Sequence, residues 1–454
     1  MRKSKFILIL KILNRFNIWS LTLFFIFLLL PFNCYGRISI DINSPSITKI
    51  KIAVPDFKNY SKNNESPELA GELAGIIAND LDLSGYFLPM DKNSFLDEDG
   101  PEITAGNIRF RNWSLIGTEL LIKGAYTCIG RSLEVSIRLY DPFTGKQEFG
   151  IRRLGKIEEY RYLMHRIGNE IIKNYTGSDG IFLSRFLFVN NSTGNKEVYV
   201  CDFDGHNMKK LTSDKSIALM PRWSPDGESF VYNSIKEGGW MLYLMGISSE
   251  SATKISGRKG LNMGARWLED GKRLDLTLSY DRENQDIYTI DLKGEILERL
   301  TNHWGSDLSP ARSPDGSKIA FVSNRSGSPQ IYIKDLVADY EERITFEFNG
   351  AEIKEAQSPV WSSLNKIAFM AISEESEGKF DIYSVNPDGN GLKQLTESSG
   401  NNEDPSWSPD GRFIVFGSNR SGGYHLYIMN GNGYNQRRIT YFKGEEEAPH
   451  WSPY

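Results

Sequence analysis

Cysteine is nearly absent from this chain of 454 residues, which has only Cys34, Cys128 and Cys201. So few exclude a disulfide-framed fold. The nucleophile elbow G-x-S-x-G, the paired-cysteine C-x-x-C, the zinc signature H-E-x-x-H and the P-loop are all missing. The five histidines, at 165, 206, 303, 425 and 450, show no metal-ligand spacing. Basic charge is not in excess either. The formal net charge is −5, which argues against nucleic acid as a partner. Beyond residue 32 no run is apolar enough to cross a membrane. These absences point away from an enzyme, and no cofactor or bound metal is expected.

What is present begins with an address. Residues 1–17 carry five basic residues and no acid, and an apolar run of 15 residues follows, 18–32. Cys34-Tyr35-Gly36 then offers small residues where a signal peptidase wants them, so 1–36 reads as a signal peptide. Its removal takes the net charge from −5 to −10 and leaves no segment for membrane insertion. Cys128 and Cys201 fall in different predicted domains and are expected as separate buried thiols.

A repeat sets the architecture. The motif Trp223-Ser224-Pro225-Asp226-Gly227 recurs in full or in part with first positions 267, 312, 361, 407 and 451, at spacings of 44, 45, 49, 46 and 44. Each period carries four strand-like pieces. In the copy at 312 a turn at 313–316 leads to an apolar strand at 318–322. A second turn, Ser323-Asn324-Arg325-Ser326-Gly327, leads to strands at 330–333 and 342–345. Four strands per period of about 45 residues describe a β-propeller blade. The first copy enters in mid-blade near 181, and the last ends after one strand at 449–453. The C-terminal strand therefore completes the first blade, giving six.

Residues 37–177 read differently. Strands are expected at 38–42 and 51–54, helices at 66–83 and 160–175, and a hairpin from 120–124 and 133–138. The predicted class is thus an α/β N-terminal domain, 37–177, followed by an all-β six-bladed propeller, 178–454. His165 is expected to be structural. Asp202-Phe203-Asp204-Gly205 reads as a hairpin turn more readily than as a calcium loop, since 386–389 and 430–433 hold the same place.

Four stretches resemble the TolB family, periplasmic propeller proteins of the Tol-Pal envelope system. They are residues 37–57, Leu83-Ser84-Gly85-Tyr86-Phe87, the junction at 176–189, and the terminal Trp451-Ser452-Pro453-Tyr454. The resemblance covers the whole mature chain, whereas the repeat motif alone also occurs in propellers of peptidases. It implies a non-enzymatic periplasmic adaptor that binds a Pal-like lipoprotein at the propeller mouth. It implies that the N-terminal segment engages a TolA-like inner-membrane protein, in support of outer-membrane integrity and cell division. The family pattern places a His and a Glu among the mouth loops, where this chain has Leu261 and Ser309.

In a propeller the loops entering each first strand converge on one mouth. Here they offer Leu219, Met220, Met263, Asp307, Leu308, Ser309, Glu403, Asp404, Glu446 and Glu447, flanked by Arg325 and Arg420 from the turns after the second strands. Apolar anchors with a polar rim suit a protein partner. A cation held by Asp307, Glu403, Asp404 or Glu446 is a lesser reading. The segment with Arg37, Ile38, Ile40 and Ile42 reads either as an edge strand or as a peptide captured by strand addition. A propeller binding a small ligand or saccharide, or a propeller enzyme, remains the alternative.

Overall fold

The structure, a computed structural model, describes residues 49–96, 102–279, 284–397 and 399–453. The signal segment, the strand expected at 38–42 and the candidate residues Arg37, Ile38, Ile40 and Ile42 lie outside them.

The first sheet is built around β1 (Ile50–Ala53), an apolar strand whose Ile52 and Ala53 are fully buried. It runs parallel to β2 (Phe87–Pro89) on one side and to β3 (Leu120–Ile129) on the other. β3 continues antiparallel through β4 (Ser132–Tyr140) to β5 (Gln147–Lys156), giving the order β2-β1-β3-β4-β5. Between β1 and β2 lies α1 (Leu69–Leu83), which buries Leu69, Leu73, Ile76, Ile77 and Leu81 at helical spacing. Gly85, at φ 77°, follows its end, where left-handed backbone suits glycine. A short helix, α2 (Phe110–Leu115), buries Trp113. The last helix, α3 (Tyr160–Thr176), packs on α1 and stops at Gly177, φ 76°, whose N–H reaches the Lys173 carbonyl.

Two differences from the sequence reading have local causes. α1 begins at Leu69 and not at Ser66, because Ser66 has φ 49° and the chain turns there before entering the helix. β5 was not expected. It has no fully buried residue, so it lacks the apolar alternation that announces a strand.

Residues 185–451 form six sheets arranged as blades. Their inner strands are Glu446–Trp451, Ala218–Trp223, Asn262–Trp267, Asp307–Arg312, Ala351–Trp361 and Asn402–Trp407. The first of these pairs antiparallel with Arg185–Asn190, so the C-terminus closes the blade that the domain junction opens. Cores form between blades as much as within them. Leu187 and Val198 of the closing blade pack with Trp223, Phe230 and Tyr232 of the next. The repeated tryptophans thus serve as inter-blade packing. Cys128 and Cys201 are buried free thiols.

Trp451 is the latch of the ring. It is buried, meets Phe186 edge-on at 4.9 Å, and donates its indole N–H to Ser184 Oγ at 2.8 Å. Trp451→Ala should cost about 3–5 kcal/mol of stability in urea unfolding, the usual range for emptying an aromatic core site. A loss under about 1 kcal/mol would mean the closing strand is not what holds the ring.

Candidate functional site

The two faces of the ring are built from different turns. The loops into the inner strands and the turns after the second strands share one face. The Ser-Pro-Asp-Gly turns and the turns between third and fourth strands share the other. In those turns Ser224, Ser313 and Ser408 donate to Asp226, Asp315 and Asp410 at 2.5–2.6 Å. The aspartates hold local turns, as the sequence suggests.

On the loop face every inner strand has the same irregularity. The residue three places before its tryptophan position is left-handed: Met220, Gly264, Ser309, Ser358, Asp404 and Ala448, at φ 51°, 68°, 53°, 51°, 50° and 49°. The pairing register slips at each of these bulges. Five of the six residues precede a proline, whose missing N–H leaves no ladder donor orphaned there. A bulge bends the strand and re-aims side chains. It sets Met220, Ser309 and Asp404 at the loop mouth.

Leu219, Met220, Met263, Leu308 and Ser309 are half-buried there. Glu403, Asp404 and Glu447 stand near one another. Burial pushes the Glu403 pKa up, the Tyr424 hydroxyl at 2.8 Å opposes it, and the charges of Asp404 and Glu447 push it further. Lys196 neutralises Glu447 at 2.5 Å.

Four other candidates belong to the frame and not to the surface. Asp307 and Glu446 are 0% exposed. Asp307 is gripped by Arg325 at 2.9 Å, and Glu446 by His425 at 2.5 Å and Thr440 at 3.0 Å. Arg325 also pairs with Glu341 and lies over Phe321 and Tyr332. Arg420 lies over Phe416 and Tyr427 and donates to Asn402 at 2.6 Å. The reason is geometric, since a long cation in a tight hairpin turn folds back over its own strands. The carboxylates considered for a cation are therefore not gathered. Among the described residues no three His, Cys, Asp or Glu side chains converge as metal ligands.

One element escaped the sequence reading. A buried threonine stands two residues past the outer strand in five blades: Thr212, Thr301, Thr345, Thr396 and Thr440. Each accepts a backbone N–H from the third strand at 2.8–3.1 Å. Thr212, Thr345 and Thr396 donate in turn to buried Glu197, Gln330 and Asp381 at 2.5–2.7 Å. The signal was present as a recurring Leu-Thr or Ile-Thr pair.

The α/β domain is tied to the turn face. Arg412 bonds the Tyr86 hydroxyl, and Arg437 bonds the Asp82 carboxylate and carbonyl. Deeper lies a buried charged cluster. His165 of α3 sits between Asp80 of α1, at 2.8 Å, and Asp204 of the ring, at 3.3 Å. Arg161 also pairs with Asp204. Burial opposes the His165 charge, but hydrogen bonds and charge from Asp204 and Asp80 raise its pKa to about 10. Burial works against the Asp204 charge too, yet His165, His206 and Arg161 hold it well below the usual range. Burial outweighs His165 at Asp80 and raises that carboxyl to about 6. The turn at 202–205 is thus also the anchor between domains.

These features define a class: a six-bladed β-propeller carrying an α/β domain on its turn face and a mixed apolar and acidic loop mouth on the other. Residues 172–454 match the TolB beta propeller domain, and residues 38–148 match the TolB amino-terminal domain. The chain belongs to the TolB family. It is 35% identical over 288 residues to the Tol-Pal system protein TolB of Desulfosudis oleivorans, covering 63% of this chain. It is 36% identical over 291 residues to a TolB homolog of Chlorobium chlorochromatii. The chain spans 65% and 64% of the length of these two relatives. A TolB homolog of Chlorobium luteolum is 33% identical over 343 residues, 75% of this chain and 76% of that protein. The crystal structure of TolB from Acinetobacter baumannii is similar with a TM-score of 0.76 and 25% identity, over 92% of this chain and all of that one.

The cluster makes a pH-dependent interface. A raised His165 pKa gives stability that is full below pH 6.5 and is lost as pH climbs through about 10. Asp80 works in the same sense between pH 3.8 and about 6, whereas Asp204 loses its contribution only on acidification. His165→Leu should cost about 3–5 kcal/mol near pH 7, as breaking a buried pair does. Its deficit against wild type should shrink between pH 7 and 10 in urea unfolding. A constant deficit would refute a protonated His165.

Proposed function

We propose that the chain is a non-enzymatic periplasmic adaptor of the Tol-Pal system. It binds a Pal-like lipoprotein at the loop mouth and a TolA-like inner-membrane protein through the segment 37–46. In this way it supports outer-membrane integrity and cell division. The observation that carries the reading is the loop mouth itself. Half-buried Leu219, Met220, Met263 and Leu308 share the loop face with Glu403, Asp404 and Glu447, while the ties to the α/β domain occupy the other face. An apolar anchor site with a charged rim is how protein interfaces are built. The family supports the partners, since one relative is named a Tol-Pal system protein. Names of relatives and the basic, apolar start of the chain support the periplasm.

The test uses side chains at the mouth that the blades do not need. Leu219→Asp with Met263→Asp should weaken capture of a purified Pal-like lipoprotein by at least about tenfold, because charge is placed where apolar contact is expected. The far-UV spectrum and the urea midpoint should stay near wild type. Undiminished capture by a folded variant would move the binding face elsewhere. Arg325→Glu and Arg420→Glu are poor probes, because both side chains brace blades.

The N-terminal segment is tested separately. Deleting 37–46 should abolish capture of a TolA-like domain and leave the Pal-like lipoprotein bound. Equal TolA-like affinity with and without the segment would refute its role.

A further inference from the structure

Each inner strand places one residue, next to its tryptophan position, at the same level of the axial channel. Round the ring these are His450, Arg222, Arg266, Ala311, Val360 and Ser406, lining a cavity of about 900 Å³. Three neighbours in this ring, His450, Arg222 and Arg266, carry nitrogen donors.

The two guanidiniums differ from the other cations around the cavity. Arg312 is bound to Asp275 at 2.6 Å, and Arg273 to Asp270 at 2.6 Å. Among the described residues the Arg222 side chain donates only to the carbonyl of its neighbour Pro221, at 2.8 Å. Among the described residues the Arg266 side chain makes no hydrogen bond or ion pair. Asp404 is felt by both through space and pairs with neither. His450 is committed to one state. Its Nδ1 accepts the Trp223 N–H at 3.1 Å, which puts its proton on Nε2 as a third donor. Burial and the two arginines keep this imidazole neutral.

Two forked donors and an imidazole N–H with almost no opposing charge match one ligand chemistry. Guanidiniums pair with planar or tetrahedral oxyanions through parallel hydrogen bonds. We propose that the axial channel is a binding site for a small oxyanion, a carboxylate or a phosphate, held by Arg222, Arg266 and His450. The cavity leaves room beyond the charged group for the rest of an organic acid or ester. The site is separate from the loop mouth and does not rest on the adaptor reading.

The experiment titrates the exported protein calorimetrically with inorganic phosphate and, separately, with succinate. Saturable one-to-one binding of at least one probe is expected, and which one binds tells phosphate from carboxylate. Arg222→Gln and Arg266→Gln should each weaken it by at least about tenfold, since a forked donor is lost. Arg273→Gln should leave it unchanged. The variants should remain folded, because each removes one of two neighbouring like charges. In the wild type the His450 ring signals should shift with saturation, a readout that needs no variant. No binding of either probe up to about 10 mM overturns the site. Equal binding in wild type and both glutamine variants would show an adventitious ion only. Calcium binding that shifts His450 would show the opposite ligand chemistry and overturn it as well.

Discussion

The strand Glu446–Trp451 is the constraint on which the rest of the molecule depends. It supplies the inner strand of a blade whose other strands were laid down about 250 residues earlier. Until it docks, Arg185–Asn190 is an open sheet edge and Phe186 has no aromatic partner from the C-terminus. Once docked, it fixes the circumference of the ring, and with it the channel, the loop mouth and the position of Asp204. Ring closure thus couples every feature that bears on function.

The two faces then divide their work by chemistry. On the turn face charge is buried and paired, so that His165 joins Asp80 and Asp204 across two domains. Such a cluster gives little net stability for its desolvation cost but strongly penalises any arrangement that leaves one member unpaired. It therefore specifies how the α/β domain sits. On the loop face the strands are bulged, and half-buried apolar residues lie beside carboxylates. That surface is suited to contact and not to internal order. The channel between the faces carries two arginines that, among the described residues, pair with no carboxylate.

Within the blades the polar residues form a second, concealed pattern. Thr212, Thr345 and Thr396 each accept a backbone N–H and donate to a buried side chain. Asp307 is held inside its own sheet by Arg325, and Glu446 is held by His425 and Thr440 of the neighbouring blade. These are the residues that looked most like mouth chemistry from the order of amino acids alone. They were legible as polar and near a loop, but whether a carboxylate faces water or a neighbouring arginine depends on strand register and on the fold-back of the Arg325 side chain. The arginines of the Ser-Asn-Arg-Ser-Gly turns misled for the same reason.

The sequence by itself determined the six blades, their closure and the preceding α/β domain. Turn residues and apolar periods act over a few positions and repeat every 45 or so. It also determined the two isolated buried thiols. Only the tertiary structure decided that Asp204 anchors the α/β domain, that Arg222, Arg266 and His450 share one level of the channel, and that Asp307, Glu446, Arg325 and Arg420 are braces. Those outcomes join residues 18 to 228 positions apart. Which partners meet across such distances is set by closing the ring, because no local pattern carries information about what arrives from the far side of the chain.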